Sequence, residues 1–157
     1  MAYDFLKLIH LFAVVIFLGN IITELFWMHN AQRTKNLKIV SFTISNIIKG
    51  DKYFTIPSVI FITVAGVAGS IFGHLSTLHT GWIFWSIILF VISGLAFTIK
   101  VAPLQKKIHS LTLQKDSWNS VEWAAFNKFY LAWNLWGWVA LITPVLAFVM
   151  MTVKIPK

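Results

Sequence analysis

Residues 5–28 read FLKLIHLFAVVIFLGNIITELFWM, and this stretch decides the fold because it is long and apolar enough to cross a bilayer as a helix. Within it lie the polar side chains Lys7, His10, Asn20 and Glu24. An ionisable side chain at membrane depth costs roughly 2.5–3.5 kcal/mol, so such residues persist mainly where they have a partner or a function. We therefore expect these side chains to face the interior of a helix bundle.

His10 and Glu24 lie on one face of this helix. They are fourteen residues apart, which on an α-helix brings them within about 40° of each other and ~21 Å apart along the axis. Lys7 lies one turn from His10, and Asn20 lies one turn from Glu24. The Asn20–Glu24 pair predicts either a site for protons or a cation, or a plain hydrogen bond to a neighbouring helix.

The composition places the whole chain in a membrane. Of its 157 residues 58% are hydrophobic and 11% are charged, with a mean hydropathy of +0.77, whereas a soluble domain carries about 25% charged residues. A chain of this length holds about four spanning helices joined by short connections. We predict an all-α, integral membrane four-helix bundle that forms a single domain over 1–157, with spans at about 5–28, 53–72, 82–101 and 126–153.

The composition also excludes several classes of function. The chain has no cysteine, which excludes disulfides, iron–sulfur clusters and thiolate metal sites. In a membrane protein, basic connections that touch anionic lipid headgroups account for the net charge of +8, so we predict the lipid bilayer and no nucleic acid as a partner. The sequence shows no nucleophile motif, phosphate loop or dinucleotide fingerprint, and no catalytic residue is assigned.

The connections are predicted from their polar and helix-breaking residues. Residues 37–48, LKIVSFTISNII, hold too few apolar side chains to span and are predicted as an amphipathic segment in the interface. Residues 49–52, KGDK, predict a turn. Pro57 falls in the first turns of the second span, where proline is tolerated, and Pro103 is expected to end or kink the third span.

The distribution of lysine and arginine along the chain predicts its orientation in the membrane. They concentrate around the connections 29–52 and 102–125, whereas the middle connection has none. By the positive-inside rule we expect both basic connections to be cytoplasmic and both chain termini to lie on the outer side of the membrane. His10 then comes to the same outer side as His74 and His79 of the middle connection.

Three histidines in the outer half of the bundle suggest a metal site. Imidazole binds haem iron, copper and zinc, and a histidine inside a bundle is a common ligand of haem b. Our interpretation is that His10 is the axial ligand of haem b, with copper or another metal ion held by His10, His74 and His79 as an alternative. The plainer alternatives are a helix-packing hydrogen bond for His10 and solvent exposure for the two loop histidines.

The fourth span starts with a run of aromatic side chains. These are Phe126, Phe129, Tyr130, Trp133, Trp136 and Trp138. Such a run is typical of an interfacial belt, and it also suits the wall of a pocket for a planar ligand, in which Trp133 is the candidate contact.

Small residues in the second span predict close helix packing. Gly69 and Gly73 form a small-xxx-small pattern, which lets another helix approach. The same face is a candidate surface for a homo-oligomer or for a larger membrane complex.

Several short motifs, in a fixed order along nearly the whole chain, carry a resemblance to known proteins. They are LKLIH at 6–10, Gly19, Asp51, TIP at 55–57, Gly66, Trp82, Trp133, Gly137 and MTVKIP at 151–156. In these the chain resembles an uncharacterised family of small bacterial membrane proteins, similar to CopD-type copper-resistance membrane domains and to the haem-containing membrane protoporphyrinogen oxidase of bacteria. The resemblance implies a four-helix bundle with haem or a metal near His10.

One departure limits what the resemblance implies. The haem oxidase group has a lysine early in helix 3, whereas here no lysine follows Trp82 before Lys100, so protoporphyrinogen oxidation is not carried over. Three functions stay open at this point. One is a haem- or metal-binding redox protein built on His10. The second is a non-enzymatic membrane subunit or small transport component built on Asn20 and Glu24, with the Gly69–Gly73 face as a partner surface. The third is copper or other cation handling at the outer face, which requires His74 and His79 to join His10.

Overall fold

A computed structural model describes residues 1–74, 80–114 and 117–156. Within these ranges every regular element is helical, and four helical stretches are long and apolar enough to span a membrane. The predicted all-α membrane bundle is confirmed. The elements in chain order are α1 (Ala2–Arg33), α2 (Leu37–Gly50), a first π segment (Asp51–Thr55), α3 (Ile56–Phe72), α4 (Gly81–Ala96), a second π segment (Phe97–Val101), α5 (Ala102–Thr112) and α6 (Ser120–Val153).

The second spanning helix starts much earlier than predicted. It runs without a break over Leu37–Phe72, so the turn predicted at 49–52 is wrong. The segment predicted to lie in the interface is the helix α2, whose apolar face is buried in the core through Val40, Ile44 and Ile47. Gly50, the glycine of KGDK, does not form a turn. It lies where α2 packs closely against α1, and a side chain at this position would collide with Glu24.

Neither proline ends its helix. Pro57 and Pro103 each follow a π segment by two residues, and the helix continues beyond both. Proline cannot donate a backbone hydrogen bond, and its ring collides with the carbonyl group four residues earlier in a regular α-helix. The wider π turn accommodates this conflict within a continuous helix. Of the two alternatives predicted for Pro103, an end of the helix is therefore wrong, and a kink stays a prediction.

The helices pack as two pairs that meet at one end of the bundle. α1 packs along α3 and α4 packs along α6, while α2 lies against α1 and α5, and α5 lies against α6. In the described ranges no Cα atom of α3 lies within 8 Å of a Cα atom of α4. The bundle is therefore closed where α2 and α5 meet and open between α3 and α4. We call the closed end the basic end, because α2 and α5 carry Lys38, Lys49, Lys106 and Lys107.

The aromatic start of α6 lies inside the bundle. Phe126, Tyr130 and Trp133 recur at helical spacing and are 0%, 5% and 1% exposed. Their rings follow one another, with centroids 6.1 Å apart between Phe126 and Tyr130 and 6.5 Å apart between Tyr130 and Trp133. These three residues thus form a buried ladder and not an interfacial belt.

The ladder predicts a large effect for its most buried ring. We expect Phe126→Ala to lower the free energy of unfolding by about 3–5 kcal/mol, because it leaves a cavity in the core. Leu131→Ala is the control on the same helix, since the Leu131 side chain is 63% exposed, and its effect should stay within about 0.5 kcal/mol. Denaturant titration of the protein in detergent measures both, and equal effects would contradict the inward placement of the ladder.

Candidate functional site

A cavity of about 380 Å³ lies between the two helix pairs. Its volume is in the range of sites that hold small molecules. The lining comes from all four spanning helices and includes residues of both π segments. The lining includes Phe17, Glu24, Thr55, Ile60, Phe90, Gly94, Thr98 and Trp133.

The cavity opens sideways, between α3 and α4. Ile60 on one side of the opening and Gly94 and Thr98 on the other line the cavity and are also exposed on the surface of the chain. The surrounding surface is apolar, with Val91 and Leu95 50% and 53% exposed. Apolar exposed side chains on spanning helices face lipid. The opening is therefore bordered by exposed apolar side chains of the kind that face lipid in a spanning helix.

The wall of the cavity is largely aromatic. Phe17 and Phe90 have ring centroids 5.8 Å apart, and Trp133 closes the side formed by α6. The Trp133 indole N–H is buried and has no hydrogen-bond partner among the residues that the structure describes. A buried donor without a partner is rare in a folded protein. Trp133 thus lines the cavity, and its predicted contact with a planar ligand stays a prediction.

Glu24 is the ionisable residue of the cavity. Its side chain is 8% exposed, and Asn20 Nδ2 donates to Glu24 Oε1 at 2.6 Å. The same Asn20 amide donates to Thr55 Oγ1 at 2.9 Å, which joins α1 to the first π segment. The structure thus brings together the predicted pair Asn20 and Glu24 and adds a third polar group beside them.

A glycine lets this polar group pack tightly against α2. A Cβ atom at position 50 would lie 3.1 Å from Glu24 Oε1 and 3.2 Å from Asn20 Oδ1. Such distances are shorter than ordinary van der Waals contacts, so a larger residue would displace the carboxyl group. Gly50 is therefore part of the site, although its sequence context suggested a turn.

Asp51 and Gln105 were not predicted as site residues, although Asp51 is among the residues that carry the family resemblance. Asp51 is 4% exposed, and Gln105 Nε2 donates to Asp51 Oδ2 at 2.8 Å. Thr55 also hydrogen-bonds to the Asp51 carboxyl group, and Asp51 Oδ1 has no partner within 1–74, 80–114 and 117–156. The available signal was an aspartate and a threonine four residues apart, directly before a proline inside a helix.

His10 lies outside the cavity. Its Nδ1 donates to the carbonyl oxygen of Ile62 at 2.9 Å, and a Cβ atom at position 66 would lie 3.2 Å from the ring. The ring therefore fills the space that Gly66 leaves on α3. The cavity-lining residue of α1 nearest to His10 in the chain is Phe17, about two turns away.

The other predicted histidines are not brought to His10 by the described residues. His74 is exposed and follows α3 with a positive φ of 52°, about 12 Å of helix rise beyond Gly66. His79 lies outside the described residues. Within the ranges that the structure describes, no group of three or more His, Cys, Asp or Glu side chains is placed to hold a metal ion.

The Gly69–Gly73 pattern faces the chain itself. Gly69 is buried, and a Cβ atom at position 73 would lie 2.8 Å from the ring of Tyr3 on α1. Gly73 therefore serves the contact between α1 and α3, whereas a Cβ atom at position 69 would meet no atom within 4 Å. An oligomer or complex through this face stays a prediction.

The glycines of α3 predict a matched pair of variants. Gly69→Ala has no atom within 4 Å to meet and should be neutral or stabilise the helix by up to about 1 kcal/mol. Gly66→Ala meets the His10 ring, and we expect it to be less stable than Gly69→Ala by about 1–3 kcal/mol. In a His10→Ala background this difference should disappear, as measured by thermal unfolding in detergent. A difference that persists there would show that His10 does not occupy the space at Gly66.

Comparison with known proteins places the whole chain in one family. A family profile described as a predicted integral membrane protein (DUF2269) matches residues 4–155. No curated protein and no solved structure matches the chain. The likeness to copper-resistance domains and to protoporphyrinogen oxidase therefore stays a resemblance in short motifs. The match over nearly the full length, together with the helical bundle described above, shows that the chain belongs to the DUF2269 family of predicted integral membrane proteins.

Proposed function

We propose that the protein is a non-enzymatic membrane component of the kind used in small transport systems, and that it binds a hydrophobic cation in the cavity. The observation that carries this proposal is the single carboxyl group in an otherwise apolar cavity. Glu24 is the only ionisable side chain among the described residues that line the cavity, and the remaining lining is almost entirely apolar. A hydrophobic cation complements both properties.

The chemistry of the wall favours a cation over other ligands. A cation inside an apolar cavity needs a carboxylate partner, and it gains further attraction from the faces of aromatic rings such as Phe17, Phe90 and Trp133. An anion would find no basic side chain among the described residues that line the cavity. A neutral molecule would make no use of the charge that the Glu24 carboxyl group can take up, whereas a cation pairs with it.

The ligand reaches the site from the bilayer, since the cavity opens between α3 and α4. We infer that the basic end faces the cytoplasm of a bacterial cell and that both termini lie outside. The lysines of α2 and α5 and the positive-inside rule support this orientation. Glu24 packs close to α2 at Gly50, so in this orientation it lies in the cytoplasmic half of the bundle.

Cation binding is tested with tetraphenylphosphonium as the probe. We expect the purified protein in detergent to bind it, and Glu24→Gln to bind it at least about tenfold more weakly, because the variant lacks the charge partner. Asp4→Asn is the control, since it removes an exposed carboxylate that pairs with the N-terminal amine at 3.1 Å. Equilibrium dialysis measures the three affinities.

An anion of nearly the same size and shape separates charge recognition from simple partition. Tetraphenylborate should bind no better than it partitions into empty detergent micelles. Equal binding of the two ions, or unchanged binding of the cation by Glu24→Gln, would contradict the proposal.

A second candidate function, haem b or copper binding at His10, is supported by one observation. The Nδ1 atom of His10 donates to a backbone carbonyl oxygen, and metal-binding histidines commonly fix their second nitrogen in this way. The fit to haem is incomplete, because Trp133 lines the cavity and His10 does not. The described residues therefore do not provide one pocket in which both side chains contact a porphyrin.

Absorption spectra test the second candidate directly. Protein purified from cells supplied with haem is measured oxidised and then reduced, beside His10→Ala, and its copper content is determined in the same preparations. A Soret band, or bound copper, that is lost in His10→Ala would support a site at His10. Because His10 lies outside the cavity, we expect the purified protein to be colourless. A Soret band that is present in the unaltered protein and lost in His10→Ala would contradict this expectation.

A further inference from the structure

Asp51 is a buried carboxylate that the proposed cation site does not use. It does not line the cavity, and it is more deeply buried than Glu24. Gln105 and Thr55 hydrogen-bond to its carboxyl group, but Oδ1 has no hydrogen-bond partner among the residues described. Most buried polar atoms in folded proteins are hydrogen-bonded, so this oxygen requires an explanation.

The Asp51 and Glu24 carboxyl groups belong to one polar cluster. Asn20 donates to Glu24 and to Thr55, and Thr55 hydrogen-bonds to Asp51. The hydrogen-bonded path from one carboxyl group to the other runs through two side chains, Asn20 and Thr55. Asp51 and Thr55 lie in a π segment, an irregularity that is frequent at functional sites.

No basic side chain neutralises the two carboxyl groups in the described part of the chain. Apart from the two carboxyl groups, the charged or titratable side chains on the packed elements are Tyr3, Asp4, Lys7, His10, His29 and Arg33 of α1, Lys38 and Lys49 of α2, Lys52 and Tyr53 of the first π segment, Lys100 of the second, Lys106, Lys107 and His109 of α5, and Glu122, Lys128 and Tyr130 of α6. Arg33 and these lysines are exposed, His29 Nδ1 lies 3.3 Å from the Tyr130 hydroxyl, and within the described residues none of these groups forms an ion pair with Glu24 or Asp51. Two buried carboxylates without a counter-charge cost several kcal/mol each, and a bound proton removes much of that cost.

We propose that Glu24 and Asp51 hold one exchangeable proton between them, and that a monovalent cation entering the cavity displaces it. This inference rests on the proposed function, because the cation pairs with Glu24. In the exchange the O–H bond at Glu24 breaks and its carboxylate pairs with the cation. The proton passes to Asp51 Oδ1 and then to water at the basic end. The net charge of the site is the same before and after.

The exchange predicts proton release on binding. Tetraphenylphosphonium added to weakly buffered protein should release about one proton per cation bound, as read from a pH-indicator dye. Because the proton competes with the cation, affinity should rise about tenfold for each pH unit over the range in which the pair is protonated. Asp51→Asn removes the like charge beside Glu24, so it should still bind the cation but with its pH profile moved to lower pH. Asp4→Asn should leave the profile unchanged.

The outcomes separate this inference from the proposed function. Binding without proton release, or an Asp51→Asn profile identical to that of the unaltered protein, overturns the proton exchange and leaves the cation site intact. If no cation binds, the proposed function fails. An infrared pH titration of the ligand-free protein then tests whether Glu24 and Asp51 share one bound proton. A protonated-carboxyl band that is lost in Glu24→Gln and moves to lower pH in Asp51→Asn supports the pair. Absence of that band overturns it.

Discussion

The burial of the Glu24 carboxyl group inside a spanning helix is the constraint on which the rest of the structure depends. Asn20 lies one turn before it and donates to it, and Gly50 leaves out the side chain that would collide with it. The Asn20 side-chain amide also donates a hydrogen bond to Thr55, which lies on a second helix. An unpartnered carboxyl group at this depth would cost several kcal/mol, so these departures from a plain apolar span occur together.

The helices that border the cavity depart from regular α-helical geometry in the two π segments. Thr55 of the first segment and Phe97 and Thr98 of the second line the same cavity. Each segment lies two residues before a proline, which a regular helix would not accept without a lost hydrogen bond and a steric clash. α3 and α4 then run apart from each other beyond these segments. The cavity thus lies where two helices leave regular geometry at a common level.

The sequence predicts the parts of this structure that depend on local properties. Hydropathy and helical periodicity gave the four spans and the shared face of Asn20 and Glu24. They did not predict the group of Asp51, Thr55 and Gln105, because Asp51 meets Gln105, and Thr55 meets Asn20, only through contacts between different helices. The segment KGDK fits the sequence rules for a turn. Only the contact of Gly50 with the side chains of Glu24 and Asn20 shows that this glycine allows two helices to pack closely. The cavity itself depends on the separation of α3 from α4, which no local pattern encodes.

The sideways opening of the cavity has a consequence for how affinity is defined. A molecule that enters between Ile60 and Gly94 comes from the acyl-chain region, so the concentration that governs occupancy is its mole fraction in lipid. An affinity expressed against aqueous concentration is then the product of a partition coefficient and the true affinity of the site. Two compounds with identical contacts to Glu24 will differ in apparent affinity by the ratio of their partition coefficients. Substituents far from the charge therefore act on occupancy without touching the protein.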